Sequence, residues 1–535
     1  MQKIVSGTLF FHKNVLHYIL CMFIPNNFLI KDIFKMAETN ETPVVKVNEL
    51  FEQRVAKIND YRASGINPFG HAYPGTQLIS DVRAAYVPPA DEETPGMAAV
   101  IAGRMTAKRG MGKSIFADVR DSSGKLQIFA AKNELSEENF ALCRKLDIGD
   151  IVGIKGTLFT TKMGEITLRA KEVTLLSKSM RPLPEKFHGL TDVEQRYRQR
   201  YLDMIANPEV KEVFQKRSAI IREVRNFLCE RGFMEVETPM LQPLAGGASA
   251  TPFETFYGAL NSTVYMRIAP ELYLKRLLVG GFEKVFELNR SFRNEGLDRR
   301  HNPEFTMLEI YQAYSDCRGM MELIETMIST IALKVCGTLK IEQKNGVVLD
   351  FTPPFRRATY HELVKEKGGD DWFDITPAER VTRGQSLGLD VNASMSDIDV
   401  TNELYEKLVE PNNIQPTFVT RLPAELLPLA NPCPDDPSLV DVFELGINGM
   451  EVAPAYSELN DPIIQRQRFM EQFERTREEG DTVENKVDED FLTALEYGMP
   501  PAGGMGVGID RLVMILTGAE SIRDVILFPQ MRRLN

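Results

Sequence analysis

With only six cysteines in 535 residues and no Cys-x-x-Cys pair, the chain cannot rest on a disulfide framework or a zinc knuckle. Cys21, Cys143, Cys229, Cys317, Cys336 and Cys433 lie far apart, which suits a reducing compartment and hence the cytoplasm. Long apolar runs are missing too. Leu9 to Ile33 is rich in Phe, Ile and Leu, but Lys13, His17, Pro25 and Asn26-Asn27 break it short of the roughly 18 to 20 apolar residues a membrane span needs. No Ala-x-Ala cleavage site follows, so neither a membrane anchor nor a secretory signal is expected. Residues 1–36 are read as a non-native or disordered leader ahead of a start at Met36, with a targeting peptide as the alternative. An excess of positive charge is also absent: the net charge of −12 excludes a general nucleic-acid coat.

Charge can still be local. Residues 100–181 carry 15 Lys and Arg against 9 Asp and Glu, a net of +6, which leaves −18 for the remainder. A basic module on an acidic body fits a protein that touches RNA over part of its surface, and a solvated lysine face fits the same numbers. At this length and 43% hydrophobic content, two or three domains are expected.

The order of segments supports that division. Leu50, Val55, Ile58 and Tyr61 recur at helical spacing ahead of Gly65 and Pro68, so Lys46 to Gly65 predicts one amphipathic helix and its stop. A Pro-rich acidic linker, Val87 to Pro95, follows. From Ala98 to Ser177 short alternating runs with Gly turns predict five strands, with one helix near Glu137 to Leu146, as in a small Greek-key barrel. Phe116 with Lys108, Arg109 and Lys113 supplies the stacking and basic chemistry such barrels use on single strands. A strand Phe also suits a barrel core. After a second linker at Arg181 to Lys186, Asn207-Pro208 opens a helix bearing Val213, Phe214, Ile220, Ile221, Val224, Phe227 and Leu228, and Phe233 to Pro239 reads as a strand.

Two glycine-rich strings are not what they suggest. Gly110-Met-Gly-Lys-Ser114 lacks the glycine a phosphate loop requires at Ala107, and a strand follows it. Gly503-Gly-Met-Gly-Val-Gly508 has its third glycine one position early for a dinucleotide fingerprint. It reads instead as a strand and turn that exclude bulky neighbours and lead into a helix bearing Arg511.

The densest chemistry lies in Phe292-Arg-Asn-Glu-Gly-Leu-Asp-Arg-Arg-His-Asn-Pro-Glu-Phe305 and its continuation to Tyr311. That pattern suits a strand–loop–strand hairpin gripping a triphosphate beside a cationic substrate. A second hairpin, Asp441 to Glu451, places Glu444 and Glu451 around an Asn-Gly turn. Two such carboxylates can share a Mg²⁺ with phosphate oxygens, although surface hairpin glutamates are commonly only solvated.

These segments, in this order, resemble motifs 1, 2 and 3 of the class II aminoacyl-tRNA synthetases, in the lysine-specific, bacterial-type version. The resemblance covers essentially everything after Met36. It implies an α+β protein with an N-terminal OB-fold β-barrel, then a class II antiparallel β-sheet catalytic domain flanked by helices. The implied domains are 37–95, a helical extension and linker; 96–181, the anticodon-binding OB fold; and 182–535, the catalytic domain. The implied activity is ATP-dependent activation of L-lysine to lysyl-adenylate and transfer to the 3′ end of tRNA(Lys), by a homodimer built through motif 1.

The same resemblance assigns roles. Arg293 bridges the substrate carboxylate and α-phosphate, Glu295 meets the adenine amino group, His301 the phosphate tail, and Phe305 stacks opposite Arg511. Glu444 and Glu451 hold Mg²⁺ on ATP. Glu309, Tyr311 and Glu458, with Tyr456 beside it, take the ε-ammonium, while Glu271 and the Gly247 backbone take the α-amino group. Phe116, Gln127 and Glu165 read the central uridine of the anticodon. No catalytic base is needed, because the amino acid's carboxylate is itself the nucleophile.

Three departures stand out: Pro454 where the family usually has Asn, Thr251 where Lys or Arg is common, and Phe256-Tyr-Gly258 for a His-rich triplet. They leave the ε-ammonium pocket intact but weaken the expected hold on the substrate carboxylate. Alternatives are an aspartate or asparagine ligase, which would need cations where Glu309 and Glu458 stand, and a non-catalytic RNA-binding relative, which Arg293, Glu444, Glu451 and Arg511 oppose. A relative that modifies a translation factor would lack the barrel.

Overall fold

The computed structural model describes residues 44–89, 96–184, 190–248, 250–427, 430–478 and 487–534. The expected leader and the ends of both linkers, residues 90–95 and 185–186, lie outside them. The chain divides between Pro184 and Glu185 into two compact units.

The first unit begins with helix α1 (Val44–Ala63), which stops where Gly65 takes a left-handed conformation (φ +73°). Its buried face differs from the apolar stripe read in the sequence. Ile58 and Tyr61 are buried but Leu50 is exposed, and Arg54 is buried instead, donating to the carbonyls of Ile148, Ser179 and Arg181. A charged side chain is tolerated inside because its guanidinium fork is satisfied. Helix α2 (Ile79–Ala85) follows.

Five strands then close a barrel: β1 (Ala98–Met111), β2 (Ser114–Arg120), β3 (Lys125–Ala131), β4 (Ile151–Thr160) and β5 (Ile166–Ser177), in the order β1-β2-β3-β5-β4. Its core is filled by inward residues such as Ile101, Val119, Leu126, Val152 and Leu168. Helix α3 (Glu137–Lys145) is capped by Ser136, whose hydroxyl accepts the Asn139 N–H.

In the second unit helix α4 (Glu209–Cys229) has Pro208 before its first turn. Asn207 does not cap it with its side chain; the amide instead donates to Leu190 O and Asp203 Oδ1 and closes the preceding helix. The expected strand from Phe233 is reduced to β6 (Met234–Glu235), because Thr238 turns to donate to Glu287 and to accept from Arg267. Helix α5 (Glu271–Val279) comes next. Strands β7 (Lys284–Phe292) and β8 (Glu304–Ala313) form the hairpin expected from the arginine-rich segment. Helix α6 (Cys317–Ile331) is followed by β9 (Arg356–Thr359), β10 (Thr417–Thr420), β11 (Val442–Ile447), β12 (Met450–Ser457), β13 (Ala502–Gly508) and helix α7 (Ile509–Thr517).

These strands form one eight-stranded sheet, β9-β10-β11-β12-β13-β8-β7-β6. Its centre is antiparallel, and the two outermost pairs, β9 with β10 and β6 with β7, are parallel. Helices α4, α6 and α7 bury Val224 and Phe227, Met327 and Ile328, and Leu512 and Ile515 in one core with the sheet residues Phe286, Leu308 and Val507. A smaller core around Trp372, Tyr360, Leu404 and Val419 has no counterpart in the sequence motifs. Among the described residues no helix is long and apolar enough to cross a membrane.

Candidate active site

The sheet's period of two decides which side chains meet. Glu309 and Tyr311 lie two apart on β8 and so point to one face, opposite Gly506 and Gly504 of β13. Tyr456 of β12 also pairs with Gly504, and Glu458 follows just after that strand. The glycines of β13 make this convergence possible. A β-carbon at Gly504 would overlap Glu458 Oε1 and stand 2.6 Å from Tyr311 Cε1, so the missing side chain is the space the carboxylates occupy. Gly504 thus serves the acidic pocket, while Gly508 at the end of the same strand lines the cavity that holds Arg511.

Glu309 is 4% exposed and Tyr311 Oη donates to its Oε2 at 3.1 Å. Burial, then the charge of Glu271, pushes the Glu309 carboxyl up to about 8. Glu458 is equally buried and pushed up to about 7 by burial, against the pull of Lys275. Gly247, in a left-handed conformation (φ +83°), packs where a β-carbon would stand 3.0 Å from Glu271 Cβ, so the loop and Glu271 adjoin as expected.

The pocket is not a cluster of unpaired carboxylates. Lys275 Nζ lies 2.7 Å from Glu271 Oε1 and 2.5 Å from Glu458 Oε2, with only 3% of the residue exposed. Burial opposes its charge, yet Glu271 and Glu458 hold the ammonium's pKa above its ordinary value. This residue was missed in the sequence. Its spacing from Glu271 marks an i,i+4 helical pair, but nothing local points to Glu458.

A cavity of about 150 Å³ gathers Arg293, Glu295, His301, Phe305, Glu451 and Arg511, together with Arg300 and Pro454. Arg511, in the first turn of α7, donates to Glu451 O at 2.7 Å and stands 3.1 Å from His301 Nε2; His301 Nδ1 lies 2.6 Å from Asp298 Oδ2. Donation from Nδ1–H to Asp298 leaves Nε2 to accept from Arg511. Arg293 Cζ lies 5.2 Å from the Phe305 ring centroid, so the arginine and the aromatic adjoin, and Arg293 Nε is buried without a partner among the described residues. That orphan donor faces the need of an incoming anion.

Glu444 and Glu451 stand on the β11–β12 hairpin, whose Asn448 and Gly449 both have positive φ (54° and 65°), as the Asn-Gly turn predicts. They are not directly opposed: Glu444 pairs with Pro454 and Glu451 with Gly446, across a bulge. Burial, then Glu451, then Glu410, raises the Glu444 carboxyl to about 8. Glu410, missed in the sequence because it comes from a remote short helix, is raised by burial and by Glu451. Such mutual repulsion is what a divalent cation relieves. No group of three or more His, Cys, Asp or Glu is placed to hold an ion alone among the described residues, so phosphate oxygens would complete the shell.

On the barrel, Phe116 is half-buried on the outer face, flanked along β2 by the buried Ile115 and Ala117. It therefore does not fill the core. Its ring centroid lies 4.9 Å from that of Phe129, which lies 6.0 Å from Phe159, so the sequence's single stacking residue is one of three. Gln127 Oε1 accepts from Thr167 Oγ1 at 2.9 Å, and Thr167 Oγ1 also lies 3.2 Å from the main-chain carbonyl of Glu165, whose carboxylate stands 3.7 Å from Arg83 Nη1. Lys108 does not join them. Its ammonium donates to the carbonyls of Arg144 and Leu146 at the C-terminus of α3.

Of the three departures, Pro454 lines the cavity with Arg293 and Arg511, and Thr251 O accepts the Asn294 N–H at 2.7 Å. Phe256 and Tyr257 are exposed on a separate hairpin, Phe256 by 64%.

Comparison with known proteins shows the family. Residues 192–532 match the family model described as tRNA synthetases class II (D, K and N), and residues 99–176 match the OB-fold nucleic acid binding domain. A lysine–tRNA ligase of Syntrophomonas wolfei is 52% identical over 91% of this chain and 98% of its own length. Similar relatives with the same description come from Pelotomaculum thermopropionicum (52% identical, 91% of this chain, 95% of theirs) and Staphylococcus aureus (47%, 91% and 99%).

Proposed function

The chain belongs to the class II tRNA synthetases, in the lysine–tRNA ligase group, and from that premise we propose how its residues carry the reaction. The enzyme activates L-lysine with ATP to lysyl-adenylate and transfers the lysyl group to the 3′ end of tRNA(Lys). One observation carries the assignment: the buried carboxylates of Glu309 and Glu458 and the half-buried Glu271 interact with one another, and Glu309 also feels Arg293, which lines a cavity with His301 and Arg511. A site that is anionic at one end and cationic at the other suits a diamine carboxylic acid joined to a polyphosphate.

The ε-ammonium is taken by Glu309, Tyr311 and Glu458 with Tyr456 alongside, and the α-amino group by Glu271 and the Gly247 carbonyl. Lysine's carboxylate attacks the α-phosphorus in line, so the protein supplies position and charge. Arg293, whose Nε lacks a partner among the described residues, bridges the carboxylate and α-phosphate. His301 and Arg511 meet the phosphate tail, Glu295 the adenine amino group, and Phe305 stacks the base opposite Arg511. Glu444 and Glu451 fit a Mg²⁺ ion, which when bound would neutralise phosphate charge. With Pro454 in place of an amide, the hold on the carboxylate rests on Arg293.

On the barrel, Phe116, Gln127 and Glu165 read the anticodon. The domain boundaries are those given above, the working form is a homodimer joined through the α4 segment, and the site of action is the cytoplasm. The test is ATP–pyrophosphate exchange with the purified enzyme over all twenty amino acids. Exchange with lysine alone is expected; exchange with a neutral or acidic amino acid instead would overturn the assignment.

A further inference from the structure

We infer that Lys275 is a specificity-determining residue of the amino-acid pocket: a built-in ammonium between Glu271 and Glu458 that leaves room for only the two amino groups of the substrate. The inference rests on the lysine reading above and deepens it. Its ground is geometry: one Nζ within 2.7 Å of one carboxylate and 2.5 Å of another, on a side chain almost wholly enclosed.

The pocket's charge count then closes. Three carboxylates stand there, Glu271 on α5, Glu309 on β8 and Glu458 after β12. Tyr311 and Tyr456 are the neutral hydroxyls among them. Arg267, paired with Glu287 at 2.6 Å, and Arg293, on the phosphate side, are the other cations felt by Glu309. Lys275 and the two amino groups of lysine make three ammoniums against three carboxylates. Without Lys275, a bound lysine leaves one buried carboxylate uncompensated, and burial of an unpaired charge drives proton uptake instead.

The consequence is a proton count. In the wild type Glu271 and Glu458 already face an ammonium, so Glu309 is the main carboxyl that must ionise when lysine arrives. In Lys275→Met, which keeps length but not charge, the buried Glu458 carboxyl loses its ammonium partner and keeps a proton that lysine must also expel.

The experiment measures the KM for lysine in pyrophosphate exchange from pH 6.5 to 9 for the wild type and Lys275→Met. The expected result is a variant KM raised at least about tenfold near pH 7 and approaching the wild-type value near pH 9. The plot of log KM against pH should be steeper by about one proton, with the KM for ATP unchanged. A KM that parallels the wild type at every pH, whatever its level, would mean that Lys275 only fills space and would overturn the inference. If the variant does not fold, calorimetry of lysine binding to the wild type at pH 8, in buffers of different ionisation heat, decides: no more than one proton released supports the charge count, and two or more overturns it. Failure of the wild type to activate lysine at all would sink the functional reading, a result distinct from either outcome.

Discussion

Asp510 accepts the backbone N–H of Thr306 through Oδ2 at 2.7 Å, tying the first turn of α7 to the strand that carries Glu309. The second oxygen of the same carboxylate lies 2.6 Å from Arg217 Nη1, and Arg217 Nη2 donates to the Thr306 hydroxyl at 3.0 Å. One residue from each of the three motifs thus meets in a knot beside Arg511.

Breaking that knot strands a buried guanidinium. Asp510→Ala is expected to destabilise the fold by about 3 to 5 kcal/mol, since removal of one partner of a buried pair leaves the other uncompensated. It should also lower kcat for pyrophosphate exchange by displacing Arg511. Urea unfolding and exchange kinetics check both; unchanged stability would refute the structural role.

Gly504→Ala adds one methyl group where Glu458 and Tyr311 already stand. Overpacking of this kind costs about 1 to 3 kcal/mol, and the neighbour that moves first is the Glu458 carboxylate. The expected outcome is a KM for lysine raised at least about tenfold with the KM for ATP little changed, read from exchange with each substrate varied. Equal loss for both substrates would contradict the placement.

Glu309 predicts a pH dependence whose sign can be worked out. Burial holds its carboxyl at about 8 in the folded protein, above the ordinary value of 4.5, so the folded state keeps a proton that the unfolded state has lost. Its contribution to stability is full below pH 4.5 and declines as pH rises to about 8. An ammonium favours the ionised form, so the KM for lysine should fall as pH rises from 6 and level above about 8. Glu309→Gln should raise the KM and remove its share of that slope. Thermal unfolding of the ligand-free variant should lose part of the wild type's decline between pH 5 and 8.

Phe116→Ala removes one ring of the row Phe116, Phe129, Phe159. Stacking of a base on an aromatic is worth about 1 to 3 kcal/mol, so the KM for tRNA in aminoacylation should rise roughly 5- to 150-fold while lysine-dependent exchange keeps its wild-type rate. Parallel loss of both activities would refute a separate RNA role.

Much of this was readable in the sequence because the signals were local. Alternation and glycine turns marked the barrel strands, the Asn-Gly dipeptide marked its hairpin, and the arginine-rich loop between β7 and β8 stood where charge density put it. What escaped notice depends on contacts distant along the chain. Lys275 reaches Glu458 across 183 residues, Arg217 reaches Asp510 across 293, and Glu410 approaches Glu451 from an unmarked helix. Lys108 illustrates the converse error: a basic residue beside an expected RNA face whose ammonium caps a helix.

The turn at Asn448-Gly449 touches no ligand, yet it fixes which residue of β12 faces which residue of its neighbours. A slip of one position would turn Glu451, Tyr456 and Glu458 to the opposite side of the sheet together. The groups proposed for the metal and for lysine would then leave their places in a single step, which makes this small corner the alignment gauge of the proposed site.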